Sequence, residues 1–89
     1  MLKKVAVIIR GRQHEALRMA VGLTLADNKV TVFIMDRPLE LDEDNALAIE
    51  TLGAMGAKIV STLQNDSFES MTIREVARAL TGFDSVIPY

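Results

Sequence analysis

The sequence predicts a small α/β protein, a single domain over residues 1–89 in the order βαβαβαβ, with a four-stranded parallel sheet and helices on both faces. Three observations carry this prediction. Two runs, Val5-Ala6-Val7-Ile8-Ile9 and Val30-Thr31-Val32-Phe33-Ile34-Met35, are β-branched and almost continuously apolar, as in strands buried on both faces. Four strand-like runs begin near residues 4, 30, 57 and 84, at steps of 26, 27 and 27, which suits repeated βα units. Helical patterns fill the intervals, so each crossover is expected to be right-handed.

The first helix is expected from about His14 to Ala26, with Glu15 and Arg18 as an i,i+3 pair. Asp27-Asn28 ends it, Asn28 taking the left-handed cap conformation. The second helix opens in the acidic stretch Asp42-Glu43-Asp44, which complements a helix N-terminus, and stops at Gly56. Ala57-Lys58-Ile59-Val60 forms the third, weaker strand. The third helix begins at Thr72, whose spacing to Glu75 fits a capping box. Its apolar face is read as Ile73, Val76, Ala77 and Leu80, with Arg74 and Arg78 pointing away and Gly82 closing it. Ser85-Val86-Ile87 is the last strand, and Pro88 ends it or marks it as an edge.

Composition narrows the chemistry. Ten basic against twelve acidic residues leave a net charge of −2, without the basic excess that tracks phosphate backbones, so nucleic-acid partners are not expected. The chain has no cysteine, which excludes disulfides, thiolate metal sites and a sulfur nucleophile of its own. No apolar run approaches a membrane span, and the N-terminus lacks signal-peptide features, so a cytoplasmic location is expected. No cofactor and no metal are expected: there is a single histidine, and Glu40, Asp42, Glu43 and Asp44 read as a solvated loop and helix start.

Met19 to Ala26 carries no charge on any face of the first helix. A helix apolar all round must be buried all round, and one small sheet covers a single side. Self-association or a hetero-partner is therefore expected, with Met19, Val21, Leu23, Leu25 and Tyr89 at the interface. The alternative is a monomer with scattered apolar surface.

Ligands of open α/β sheets bind beyond the carboxyl ends of the strands. There the sequence places Arg10-Gly11-Arg12-Gln13-His14 before the first helix and Asp36-Arg37-Pro38 after the second strand. Ser61 and Thr62, with Gln64, Asn65 and Asp66, follow the third strand, and Tyr89 the last. Arginines beside a helix N-terminus make an anion site of Arg10, Gly11, Arg12, His14, Asp36, Ser61 and Thr62, although no phosphate fingerprint is present. A solvated turn is the alternative. His14 as general base, with a hydroxyl from Ser61, Thr62 or Ser67, would be an enzyme instead.

Val5–Ile9, His14–Leu23 (HEALRMAVGL) and Asn28–Phe33 (NKVTVF), followed more loosely by Gly56–Ile59 and Phe83–Ile87, resemble the DsrE/DsrF/DsrH-like family. The resemblance covers most of the chain. It implies a small α/β fold of flavodoxin-like layering and a place in intracellular sulfur relay. It also implies assembly as a trimer or hexamer, or as a hetero-complex with a cysteine-bearing relative. Relay subunits of that family carry a persulfide on a cysteine just after the third strand, where this chain reads Ser61-Thr62-Leu63. A hydroxyl cannot hold a persulfide. The resemblance therefore implies a non-catalytic structural or partner-binding subunit. A small anion- or nucleotide-like ligand-binding module is the second reading and a His14-dependent enzyme the third.

Overall fold

The computed structural model describes residues 3–40, 42–63 and 68–89. In chain order the elements are β1 (Lys4–Ile9), α1 (Gln13–Leu25), β2 (Lys29–Ile34), α2 (Glu43–Ala54), β3 (Lys58–Ser61), β4 (Glu69–Ser70), α3 (Ile73–Leu80) and β5 (Ser85–Pro88). All strand pairs are parallel, in the order β4-β3-β2-β1-β5.

The sheet thus has five strands, one more than the sequence predicts. The extra strand, β4, is the two-residue Glu69–Ser70, which carries no apolar alternation to announce it. Backbone pairing to β3 defines it, continued by the Met71 N–H on the Ser61 carbonyl at 3.0 Å. Only residues 62–68 separate the two strands, short of the dozen that a parallel crossover usually takes.

β1 and β2 each show one exposed lysine followed by five buried residues, as their continuous apolar runs require. Alternation divides those residues between two cores. Val7, Ile9, Val30, Val32 and Ile34 meet Ala16, Leu17 and Ala20 of α1 and Leu52 of α2. Ala6, Ile8, Phe33, Met35 and Val60 meet Val76 of α3. The chain advances β1→β2→β3 with α1 and α2 on one face. It then returns across the whole sheet through α3 on the other, as a constant crossover hand demands.

Several local expectations are corrected. Asp27, not Asn28, takes the left-handed conformation, at φ 64°. Asn28 instead donates through Nδ2 to the Leu23 carbonyl at 2.9 Å, satisfying a helix-end acceptor. Glu15 pairs with Arg12 at 3.8 Å rather than with Arg18. On α3 the inward residues are Val76, Ala79 and Leu80, while Ile73 is 65% exposed and Ala77 is exposed. Helical side chains lean toward the N-terminus, so Ile73, at the first helical position, projects past the end of the helix instead of onto the sheet. The capping box is present: Thr72 Oγ1 accepts from the Glu75 N–H at 3.1 Å, and the Glu75 carboxylate accepts from the Thr72 N–H at 2.9 Å.

α1 is not buried all round. Gln13, Ala16, Leu17 and Ala20 face inward, and Val21 and Leu23 are half-buried against the core. Met19, Gly22, Leu25 and Ala26 are exposed, Leu25 at 70%. Among the described residues, no helix is long and apolar enough to cross a membrane.

Candidate functional site

Because β5 lies beside β1 while β2 lies on the other side, the strand order reverses between β1 and β5. The loop after β1 therefore opens on the carboxyl edge at a topological switch point. Arg10 starts that loop. Its N–H donates to the Tyr89 carbonyl at 3.2 Å, closing the end of the β1–β5 ladder. Its guanidinium lies 3.6 Å from the Asp36 carboxylate, and both side chains are exposed. Asp36 itself sits at φ 70°, a left-handed turn position that aspartate tolerates better than most residues.

A cleft of about 340 Å³ lies beside this pair, between the N-termini of α1 and α2. Gly11, Arg12 and His14 line it from the first loop, and Arg37, Glu40 and Asp42 from the second. The two helix ends differ. The Asp42 carboxylate caps α2 by accepting from the Asn45 N–H at 2.8 Å. α1 has no side-chain cap; the Gln13 N–H turns back to the Gly11 carbonyl at 3.0 Å, and the Ala16 N–H closes the first helical bond on Arg12. The backbone N–H groups of the intervening residues, His14 and Glu15, are thus left for an acceptor from outside the helix. The cleft is mixed in sign, because the guanidiniums of Arg12 and Arg37 are set against the carboxylates of Glu15, Glu40 and Asp42.

Of the residues expected from sequence, the structure brings Gly11, Arg12 and His14 together in the cleft. Arg10 and Asp36 form an ion pair outside its lining. Ser61 and Thr62 are spent on local structure. Ser61 is buried, and its Oγ accepts from the Leu63 N–H at 3.1 Å; the Thr62 hydroxyl donates to the Ile34 carbonyl at 3.4 Å. Neither lines a cleft with His14. Gln64, Asn65, Asp66 and Ser67 lie outside the described residues.

Two organising residues are not visible to a sequence pattern. Gln13, buried in the first turn of α1, donates through Nε2 to the Pro38 carbonyl at 3.0 Å and accepts from the Glu40 N–H at 2.9 Å. One amide thus clamps the β2–α2 loop to α1. Asn45, also buried, donates to the Glu40 carbonyl at 2.7 Å, while among the described residues its Oδ1 has no partner. A polar residue at the start of an amphipathic helix is the available signal, but neither partner can be named from spacing. Among the described residues, no group of three or more acidic or histidine side chains is placed to hold a metal ion.

The interface candidates divide between the two flanks of α1, Met19 and Leu23 on the side of Tyr89, Val21 and Leu25 on the side of α2. Tyr89 is half-buried beside α1, and its hydroxyl lies 3.4 Å from the Met19 Sδ. Val86 on the neighbouring edge strand is 43% exposed, whereas Leu25, one turn beyond Val21, lies on the flank of the helix that faces α2.

In comparisons with known proteins, no family model matches the chain, and no curated protein and no solved structure matches it either.

Proposed function

We propose that this chain is a non-catalytic, oligomeric member of the DsrE-like family, a structural or partner-binding subunit linked to intracellular sulfur relay in the cytoplasm. The observation that carries the reading is the apolar strip formed by Met19 and Tyr89 with the edge strand Ser85–Pro88, where Val86 is 43% exposed. Leu25, 70% exposed on the opposite flank of α1, likewise has no role in the monomer's core. The absence of cysteine supports a silent subunit over a carrier, since no side chain here can hold sulfane sulfur. Leu23, half-buried on the same flank as Met19, supports the strip from beneath.

Native mass spectrometry with light scattering tests this. The wild-type chain is expected as a trimer or hexamer, or bound to a cysteine-bearing relative when purified from its host. Met19→Glu is expected to reduce it to monomers with little change in melting temperature. A monomeric wild type that also captures no such relative overturns the proposal.

A second reading, a small-anion or nucleotide-like ligand module, is favoured by the uncapped N-terminus of α1 opening on the Arg12–His14 cleft. The carboxylates in that cleft select for a ligand that carries hydrogen-bond donors beside its anionic group. A nucleoside monophosphate should then raise the melting temperature through linkage, and Arg12→Ala should abolish the rise. No shift for the wild type sinks this reading.

A further inference from the structure

The amino-terminal edge of the sheet carries a feature of a different kind. Lys4 opens β1, Lys29 opens β2 directly opposite it in register, and Lys58 opens β3 opposite Thr31. All three lie at the positions whose strand alternation faces α3, in phase with Ala6, Phe33 and Val60. They line a single pocket of about 200 Å³ together with Thr31 and Phe83.

This is an expensive way to start three strands. Like charges directly opposite each other on neighbouring strands are destabilising. Here a lysine pair sits at one such position, and a third lysine lies one strand further on, in a chain whose net charge is negative. Lys58 is partly compensated by Glu69 of β4 at 3.0 Å. Asp84 lies at the same edge, where its Oδ2 accepts from the Lys4 backbone N–H at 2.8 Å. Among the described residues, no carboxylate comes within ion-pair distance of the Lys4 or Lys29 ammonium.

We propose that this pocket binds a diphosphate group, the linked pair of phosphates found in inorganic pyrophosphate and in nucleoside diphosphates. Adjacent strands are about 4.8 Å apart, so the three lysine stems spread over about 10 Å across the sheet. Two linked phosphates meet all three ammoniums with the stems extended, whereas a single phosphate requires the three like charges to converge on one point. Thr31, nearly buried in the floor, offers a hydroxyl, and the Phe83 ring, fixed edge-on against Phe33 at 5.8 Å, walls one side. The site is independent of the oligomer and of the carboxyl-edge cleft.

Inorganic pyrophosphate is the probe, read by calorimetry and thermal shift against inorganic phosphate and against sodium chloride at matched ionic strength. The full chain is expected to bind pyrophosphate more tightly than phosphate. Lys29→Gln and Lys58→Gln should each weaken pyrophosphate binding about tenfold or more, and Arg12→Ala should leave it unchanged. Lys29→Gln should also raise the melting temperature of the ligand-free protein by about 1–3 °C at low salt, a gain that vanishes at high salt as screening removes the repulsion. A pyrophosphate shift no larger than that of sodium chloride, or binding that survives both lysine variants, overturns the proposal. Binding lost in Arg12→Ala instead assigns the ligand to the other edge. A lower melting temperature for ligand-free Lys29→Gln removes the premise of stored repulsion.

Discussion

At the scale of single residues, Gln13 and Thr72 do the most specific work. Gln13 satisfies the Pro38 carbonyl and the Glu40 N–H with one buried amide. Gln13→Ala leaves both without a side-chain partner and should destabilise the fold by about 1–3 kcal/mol in chemical denaturation. Thr72→Ala removes the cap of α3 and should cost about 1 kcal/mol. The Thr72 backbone N–H and hydroxyl hold the Glu75 carboxyl below its ordinary range, because both hydrogen bonds favour the charged form. A depressed folded pKa contributes stability above the unfolded value, and that contribution is lost as pH falls through the folded value. The gap between wild type and Glu75→Ala should therefore be full at neutral pH and narrow on the acid side; a gap independent of pH would contradict the reciprocal box. Thr72 and Glu75 are legible in sequence because the box is a fixed local spacing. Gln13 is not, because its partners lie 25 and 27 residues away.

At the scale of elements, legibility follows burial. β1 and β2 are central, covered on both faces, and their sequences say so in unbroken apolar runs. β4 is a two-residue edge held by main-chain bonds, and nothing in Glu69-Ser70 distinguishes it from loop. α3 is placed correctly, yet its inward face is misread at Ile73 and Ala77, since composition alone does not fix which way a two-turn helix is rolled. The threonines inside α1 and α2 fit by folding their hydroxyls back on the backbone, Thr24 to the Ala20 carbonyl and Thr51 to the Leu47 carbonyl. Two glycines near the end of α2 give a paired test. Gly53 is helical, and a methyl group there meets nothing within 4 Å. Gly53→Ala should stabilise by about 0.5–1 kcal/mol. Gly56 has equal space but φ +84°, so Gly56→Ala should destabilise by about 1 kcal/mol through backbone strain alone. Opposite signs in thermal denaturation are the expected result.

At the scale of the whole molecule, the carboxyl edge was readable as a site only in part. Arg12, Gly11 and His14 converge as their place before a helix predicts. Asp36 is brought to Arg10, while Ser61 and Thr62 are drawn into the strand ends, where main-chain groups need their hydroxyls. The opposite edge was not read at all. Lys4, Lys29 and Lys58 are 25 or more residues apart in sequence, and only register makes them neighbours. Apolar surface is likewise distributed on a scale that sequence does not show, with Leu47 63% exposed on α2 as well as Leu25 on α1. Leu47→Glu should leave the oligomeric state unchanged if the Met19–Tyr89 flank is the contact, which sedimentation velocity can read beside Met19→Glu.

Pro88 closes the outer strand in a particular way. Tyr89 directs both its N–H and its carbonyl to β1, so the alternation of a parallel ladder turns its neighbour Pro88 outward, where a missing N–H costs the protein nothing. An incoming strand would find no donor there, and at the far end of the sheet it would find only the two residues of β4. Both margins are therefore poor templates for another copy of the sheet. Apolar helical surface on such a molecule is kept apart from the strand-to-strand pairing by which open sheet edges aggregate.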